Sequence, residues 1–377
     1  MSNPSPAIRH LYVHVPFCPS ICPYCDFHVS IRHAGQVEAY LRELAVEARE
    51  LAARYVVQLD TVYLGGGTPS FLRDHEMAAL VGIIRGAFGW PDGEATLEVN
   101  PGTVNSDRAS LWRDLGFNRA SVGVQSFSDD LLRYLGRTHD ALQGRRAVET
   151  LAAAGFRVSL DIITALPNQD PAWEFARAVE LPVEHLSAYT LTIEEGTPFH
   201  TAGVTVPEEA EERALLTAND VLPALGFERY EVSNFARPGA QSLHNLAYWR
   251  NRHYFGLGPG ASGHYPTPAH SNGAVEDVIA ERIKNPPLPR WLQGERGAPE
   301  AVSRLDYLTD ALYAGLRLTA GVNITDLSAR AGLDLLQVRG DAISRLQSRG
   351  LLDRQGDTLK ATTAGLWVLN QVVRELL

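Results

Sequence analysis

The three cysteines of the chain lie together, at Cys18, Cys22 and Cys25, in a C-x3-C-x2-C arrangement. A protein of 377 residues that places every thiol in one short stretch is expected to use them together. Three thiolates can bind three irons of a cubane [4Fe–4S] cluster and leave the fourth iron open to another ligand. A disulfide framework fits poorly, because three is an odd number and the spacing is tight.

A zinc site is the alternative that this spacing leaves open. Either His14 or His28 could complete a Cys3His ligand set, in which zinc has four ligands. The softness of thiolate ligands and the number of cysteines favour the iron–sulfur cluster.

The composition is that of an ordinary globular protein, with 45% hydrophobic and 21% charged residues. A formal net charge of −10 argues against a surface for nucleic acid or anionic lipid. No apolar run approaches the roughly 20 residues that span a bilayer, so we expect no stable membrane insertion. The N-terminus lacks a basic segment followed by an apolar one. With reduced, clustered cysteines, this predicts a cytoplasmic location.

Strand-like and helix-like segments alternate from residue 11 onward. The predicted strands are residues 11–15, 61–64, 96–99, 120–124, 158–163 and 185–189. One intervening helix shows an apolar stripe at helical spacing, formed by Val37, Tyr40, Leu41, Leu44, Ala48 and Leu51. Such repeats build a parallel sheet with right-handed crossovers. Because six units are too few to close an eight-stranded barrel, we expect an α/β fold, a partial (β/α)6 barrel over residues 1–203.

The alternation weakens after residue 203. A helix over residues 208–225 and a strand over 229–232 are expected in a barrel extension that covers residues 204–285. Pro286, Pro287 and Pro289 then predict a linker. Residues 299–377 resemble a small winged-helix-like domain, with a hairpin of residues 351–354 and 358–361. Nine acidic residues balance nine basic ones in this domain, so we expect a structural cap and no nucleic-acid partner.

Each predicted strand carries polar or glycine residues within it or directly after it. Along the chain these are Tyr12 and His14, the run Gly65-Gly-Gly-Thr-Pro, Glu98 and Asn100, Gln125, Asp161 and Tyr189. In parallel α/β barrels the loops after the strands build the active site, so an enzyme-like ligand cavity is predicted. Each residue alone also has a structural interpretation: the glycine run as a turn, and the carboxylates as partners of Arg119 or Arg157. Arg137 could be a surface arginine or point inward to bind a carboxylate.

Together these motifs resemble a known family. They are Tyr12-Val-His-Val-Pro-Phe-Cys18 with the other two cysteines, Gly65-Gly-Gly-Thr-Pro, Glu98-x-Asn100-Pro and Val124-Gln125-Ser-Phe. The combination resembles radical S-adenosylmethionine proteins and, more narrowly, the oxygen-independent coproporphyrinogen III oxidase family. The resemblance extends over nearly the whole chain.

The resemblance implies a [4Fe–4S] cluster on the three cysteines, whose open iron chelates the amine and carboxylate of S-adenosylmethionine. One electron, supplied by an electron donor, would cleave the sulfonium to methionine and a 5′-deoxyadenosyl radical, so the chemistry belongs to the cofactor. The resemblance also implies which residues line the S-adenosylmethionine pocket: Tyr12, Tyr24, Gly67, Thr68, Glu98, Gln125, Arg137 and Asp161.

Two departures separate this chain from the oxidases that it resembles. The oxidases carry a further cysteine two positions after the third and a longer N-terminal arm, whereas this chain has Phe27 and eleven residues before Tyr12. In both features the chain resembles the HemW branch of the family, whose members are described as haem chaperones. The resemblance therefore implies a protein that passes haem to an acceptor protein, with respiratory haem proteins as candidate acceptors. Coproporphyrinogen III decarboxylation is the alternative function.

The segment His244-Asn-Leu-Ala-Tyr248-Trp249 carries the His-Asn-x-x-Tyr-Trp motif associated with that branch. Imidazole is a suitable axial ligand for haem iron, and the two aromatic rings offer flat apolar surface to a porphyrin. Taken alone, these residues favour His244 as a capping or core residue, and the family resemblance shifts the preference to haem ligation. A smaller departure is Ala165, where relatives have glycine before Leu-Pro.

Overall fold

The computed structural model describes residues 7–267 and 277–376. The strands in these ranges are β1 (Ile8–Val15), β2 (Phe17–Cys18), β3 (Ser30–Ile31), β4 (Val57–Gly66), β5 (Glu94–Val99), β6 (Arg119–Gln125), β7 (Arg157–Thr164), β8 (His185–Thr190), β9 (Glu228–Arg229), β10 (Asn234–Ala236), β11 (Tyr254–Leu257), β12 (Ser262–Pro266), β13 (Val278–Lys284), β14 (Glu300–Ser303), β15 (Val322–Asn323), β16 (Leu352–Gln355) and β17 (Thr358–Ala361). The α-helices are α1 (Gln36–Arg54), α2 (Asp74–Phe88), α3 (Ser106–Asp114), α4 (Asp129–Tyr134), α5 (Ala141–Ala153), α6 (Pro171–Val179), α7 (Pro198–Thr201), α8 (Glu208–Ala224), α9 (Leu243–Trp249), α10 (Leu288–Trp291), α11 (Arg304–Gly315), α12 (Ile324–Ala331), α13 (Leu335–Ser348), α14 (Thr363–Trp367) and α15 (Leu369–Leu376).

One large sheet holds the barrel strands, in the order β14-β13-β12-β11-β1-β4-β5-β6-β7-β8-β10-β9. Strands β1 and β4 to β8 are parallel and lie in chain order, which confirms the six predicted strands and the partial barrel. Strand β11 adds one further parallel strand beside β1. Strands β12 and β10 pair antiparallel at the two ends of this parallel region.

The barrel strands alternate apolar and polar side chains because their two faces meet different surroundings. In β5, Leu97 and Val99 pack in the apolar core, whereas Thr96 and Glu98 face the barrel interior. The same interior face continues on β4, β6, β7 and β8 through Tyr63, Arg119, Ser121, Ser159, Asp161, His185 and Ser187. The interior of the barrel is therefore polar although it is largely buried.

The predicted helices are confirmed, but one predicted strand is too long. Helix α1 buries most of its apolar stripe against the sheet, and α8 spans nearly all of the residues expected for it. Strand β9 ends at Arg229, so the prediction of a strand through residue 232 is wrong. The Arg229 guanidinium donates to the carbonyl oxygens of Glu231 and Val232, at 3.0 and 2.6 Å, which favours a bend at these residues.

The proline-rich segment after residue 285 is a packed connection rather than a free linker. Asn285 donates to Glu47 Oε1 at 2.5 Å, and the fully buried Trp291 of α10 donates to Glu47 Oε2 at 3.2 Å. Burial raises the pKa of Glu47 to about 7, while hydrogen bonds from Gly258 and these side chains oppose the shift. The segment is thereby fixed to α1.

The C-terminal part has the element order of a winged helix, α11-β15-α12-α13-β16-β17, and β16 and β17 confirm the predicted hairpin. Its three short strands form a separate sheet, in the order β15-β17-β16. Val302 of β14 and Ala280 of β13 join its apolar core, so the domain packs directly on the edge of the large sheet. Among the described helices, none is long and apolar enough to cross a bilayer. The chain division at residues 203, 285 and 299 stays a prediction.

Candidate functional site

All twelve residues that the sequence predicts for the site line one cavity of about 600 Å³. They reach it from the barrel interior, from the loops that follow the strands and from α9: Cys18, Cys22, Cys25, Tyr12, Tyr24, Gly67, Thr68, Glu98, Gln125, Arg137, Asp161 and His244. The carboxyl ends of parallel strands meet at one end of a barrel, which explains why residues from distant parts of the chain converge.

The cysteines lie on the loop that begins at the end of β2. Cys18 Sγ is 3.3 Å from Thr68 Oγ1, and the Arg137 guanidinium Nη1 is 3.6 Å from Cys22 Sγ. Burial raises the pKa of Cys18, and raises that of Cys25 to about 11. These thiols therefore become thiolates at neutral pH only when a metal supplies positive charge.

Of the two histidines expected as a possible fourth zinc ligand, His14 is engaged in other hydrogen bonds. His14 points elsewhere, because Nε2 donates to the His28 carbonyl oxygen at 2.8 Å and Nδ1 is 3.0 Å from the Tyr12 hydroxyl. Within residues 7–267 and 277–376 there is no group of three His, Cys, Asp or Glu side chains placed to hold a single metal ion. A cubane cluster binds its thiolates on different irons, so its ligands need not converge on one point.

The glycine run after β4 allows the backbone to pack against the cysteine-bearing segment. Gly67 N donates to Val15 O and Thr68 N donates to Phe17 O, both at 2.9 Å. A Cβ on Gly67 would lie 2.8 Å from that Val15 oxygen, so any larger residue would push the two segments apart. The glycine run is therefore more than a turn. Because Gly67 has no side chain, the two segments pack closely, and this places Thr68 next to Cys18.

Two partly buried carboxyl groups, those of Glu98 and Asp161, face the cavity. Glu98 accepts from the Tyr63 hydroxyl at 2.8 Å and from Gly66 N at 2.9 Å, and Asp161 accepts from Ser121 Oγ at 3.2 Å. Burial raises the pKa of Glu98 to about 7, and the charge of Asp161 adds to the shift. Burial likewise raises the pKa of Asp161 to about 6. Carboxyl groups with such raised pKa values suit a ligand that brings an ammonium group or hydroxyls into the cavity.

Arg137 points inward, so the surface alternative for this residue is wrong. Its Nη2 donates to the Gly123 carbonyl oxygen at 3.0 Å, and its Nε has no hydrogen-bond partner among the described residues. Gln125, which ends β6, has a φ of 70° and lies at a register shift between β6 and β7. The strand pattern in the sequence does not predict the inward direction of Arg137 or the left-handed backbone of Gln125.

His244 is held in the floor of the cavity with both ring nitrogens hydrogen-bonded. Nδ1 is 2.7 Å from Thr61 Oγ1, and Nε2 is 2.9 Å from the Tyr248 hydroxyl. The ring stacks on Tyr63, with centroids 5.2 Å apart, and 1% of the residue is exposed. Burial lowers the pKa of His244 to about 3, so the imidazole is neutral.

Sequence analysis missed the residues that hold the predicted ones in place. Glu94 accepts from the Ser242 hydroxyl and from the backbone N–H groups of Leu243 and His244, each at 3.0 Å, and so fixes the start of α9. Tyr63 supports Glu98 as well as His244. Polar residues at alternate positions of β4 and β5 were the available signal, because an apolar core would not favour them.

Comparisons with known proteins agree with the motifs. The model of the Radical SAM superfamily matches residues 12–180, and the model of the HemN C-terminal domain matches residues 302–368. These two matches define the class: a radical S-adenosylmethionine barrel followed by the C-terminal domain found in coproporphyrinogen oxidase-like proteins.

Curated relatives extend over the whole chain. The chain is 31% identical to the haem chaperone HemW of Lactococcus lactis, over 97% of this chain and 96% of the relative. It is 38% identical to HemW of Escherichia coli, over 67% and 69% of the two chains. It is also 34% identical to the mitochondrial radical S-adenosyl methionine domain-containing protein 1 of Bos taurus, over 100% and 89%. The chain therefore belongs to the HemW family of the radical S-adenosylmethionine superfamily.

A solved structure shows the same fold. The coproporphyrinogen III oxidase HemN of Escherichia coli superposes with a TM-score of 0.82 and 21% identity, covering 100% of this chain and 91% of that chain. At this identity the match supports the architecture and not the reaction.

Proposed function

We propose that this protein is a haem chaperone, which binds a [4Fe–4S] cluster, S-adenosylmethionine and haem and transfers haem to an acceptor protein. The observation that carries the proposal is one cavity lined by the three cysteines, by Glu98 and Asp161, and by His244, Asn245 and Tyr248 of the His-Asn-x-x-Tyr-Trp motif. Relatives of similar length, named as haem chaperones, support the same function.

The cluster would be held by Cys18, Cys22 and Cys25, where it could supply a single electron to a bound sulfonium. The protein's own contribution is electrostatic and steric. Arg137 places its guanidinium 3.6 Å from the Cys22 sulfur, where its charge would face a bound cluster. The largely buried interior limits access of water to the cavity.

S-adenosylmethionine would fill the polar part of the cavity between the glycine run and the two carboxyl groups. Glu98, once ionised, can accept from an ammonium group, and Asp161 can accept from ribose hydroxyls. Gly67 and Thr68 line the cavity, so a ligand there can contact the main chain of the glycine run. These assignments follow the residues that line the cavity and the family to which the chain belongs.

His244 is the proposed haem ligand within the His-Asn-x-x-Tyr-Trp motif, and ligation would require a local rearrangement. Its Nε2 would exchange the hydrogen bond with Tyr248 for iron. A His244→Ala variant should lose haem affinity in a titration followed by Soret absorbance. An unchanged titration curve would remove His244 from the proposal.

One anaerobic experiment separates the chaperone from the oxidase. Reconstituted protein, S-adenosylmethionine, a reductant and coproporphyrinogen III are incubated together, and porphyrin products are measured. We expect no protoporphyrinogen, because Phe27 replaces the further cysteine of the oxidases. Haem-loaded protein incubated with a haem-free acceptor, such as an apocytochrome, should transfer its haem. Turnover of coproporphyrinogen at enzymatic rates would overturn the chaperone proposal.

A further inference from the structure

A second cavity of about 390 Å³ adjoins the first one at Tyr12, Phe27 and Glu98. Its lining includes Asp26 and four further residues that the proposed function has not used as ligand contacts: Phe27, His28, Tyr254 and Lys284. Because the two cavities share a wall, a ligand in the outer one lies beside the cluster loop and the barrel interior.

His28 presents an imidazole at this outer cavity. Its ring lies directly against Gly260, where an added Cβ would be 2.4 Å from His28 Cδ2. Its carbonyl oxygen accepts from His14 Nε2 at 2.8 Å, which anchors the main chain. The side chain is exposed, and over the described parts of the chain no hydrogen bond to either ring nitrogen of His28 is present. The imidazole is thus positioned but free to bind.

The neighbouring side chains offer an apolar surface and a positive charge. Phe27 exposes 62% of its surface beside the cysteines, and Tyr254 packs edge-on against Tyr248, with centroids 4.6 Å apart. Lys284 is exposed at the rim, and it is one of only two lysines among 34 basic residues. Among the described residues Lys284 forms no ion pair, so its ammonium group is available to an anionic ligand.

We propose that the outer cavity receives haem, with His28 as the iron ligand, Phe27 against the macrocycle and Lys284 beside a propionate. This inference rests on the proposed haem-chaperone function and deepens it. An imidazole, an aromatic ring and an ammonium group match the iron, the porphyrin face and the carboxylate of haem.

Transfer gives a physical reason to use an exposed ligand. His244 is buried, and both of its ring nitrogens are hydrogen-bonded. An acceptor protein can displace His28 from iron at the surface, whereas displacement of His244 requires the cavity floor to open. The outer cavity is therefore suited to capture and release.

The test is a titration of the full-length, cluster-loaded protein with ferric haem, followed by difference absorbance in the Soret region. His28→Ala should weaken haem binding about tenfold or more, since even outer-shell partners of a metal contribute that much. His33→Ala is the matched control, because His33 is also exposed but does not line either cavity. Added imidazole should restore the Soret position of His28→Ala, which a purely structural role would not allow.

Lys284→Gln tests the rim charge independently. The substitution should weaken haem binding by about fivefold or less, because an exposed pair of the Lys284 ammonium group and a propionate contributes little. The loss of affinity should be smaller at high salt, which screens this pair. Lys360→Gln is the control, since Lys360 is the other lysine and lies 4.0 Å from Asp353 in the C-terminal hairpin.

The outcomes separate this inference from the proposed function. If His28→Ala and His33→Ala both bind haem like the unmodified protein while His244→Ala does not, the outer site is overturned and the chaperone proposal stands. If the unmodified protein shows no Soret change with haem, the proposed function fails and the outer site fails with it.

Discussion

The two ends of the candidate site differ in how completely their polar groups are satisfied. Around the cysteines, the thiols of Cys18 and Cys22 have weak sulfur contacts, to Thr68 at 3.3 Å and to Arg137 at 3.6 Å. Around α9, by contrast, Glu94 caps the helix start and His244 has a partner on each ring nitrogen. The first region is ready to bind ligands, whereas the second must break existing hydrogen bonds before it can bind iron.

The difference follows from what each region has to bind. A cluster provides positive charge that compensates the burial of its thiolates, so the protein can leave the sulfur atoms with weak partners. A buried neutral imidazole must be satisfied by the protein itself. The structure therefore separates a region that can bind cofactors as it stands from the α9 motif, where His244 can bind iron only after its hydrogen bonds break.

The largest expected effect is loss of the cluster when any one of the three cysteines is replaced by serine. The chain has no other cysteine to substitute for the missing ligand. Iron and acid-labile sulfide should fall from about four per protein towards background, because three thiolates are needed to hold the cubane. If the unmodified protein instead contains one zinc ion and no sulfide, the cysteine region is a zinc site and not a cluster site.

The next effect is a pH dependence of S-adenosylmethionine binding that arises from Glu98. Its pKa is raised to about 7, so the carboxyl group takes up a proton as the pH falls through that value and can no longer pair with the ligand's ammonium group. Affinity measured by calorimetry should fall with decreasing pH, by at most about tenfold per pH unit.

Glu98→Gln provides the control for that dependence. The amide keeps the shape of the side chain but does not titrate, so binding should be weaker and nearly independent of pH around neutrality. A Glu98→Gln variant with the same pH profile as the unmodified protein would assign the titration to another group, of which Asp161 is the nearest candidate.

A smaller effect concerns the second region. His244→Ala removes the hydrogen bonds to Thr61 and Tyr248 and the stacking on Tyr63. The free energy of unfolding, measured in urea, should therefore fall by about 2–4 kcal/mol. The exposed control His33→Ala should change the free energy of unfolding by about 0.5 kcal/mol or less. Equal stability of the two variants would show that the hydrogen bonds around His244 contribute little.

The smallest effect is expected at Ala165, directly after β7. Its φ is 61°, a left-handed conformation that disfavours a side chain with a Cβ. Ala165→Gly should stabilise the fold by about 1 kcal/mol or less, because the relief of strain exceeds the added freedom of the unfolded chain. The melting temperature should rise slightly, while the affinity for S-adenosylmethionine should stay unchanged. A lower melting temperature would show that the Ala165 methyl contributes more by packing.

Much of the fold was predictable because local patterns are strong. The six strands, the apolar stripe of α1 and the hairpin of β16 and β17 follow from alternation and periodicity over short windows. The end of β9 at Arg229 and the packing of the proline segment against Glu47 were not predictable in this way. Each depends on a side chain that captures particular backbone or buried groups, and such contacts leave no period in the sequence.

The sequence by itself determined the chemistry of the site: three thiols at a spacing suited to a cluster, carboxyl groups after barrel strands, and a family whose motifs name the same positions. Residue type and spacing carry this information because ligand chemistry depends on functional groups. Only the tertiary structure decided that Arg137 faces inward, that His244 is enclosed, and that His28 and Lys284 line the same cavity. Those properties depend on which distant segments pack together, and that packing is set by the whole barrel.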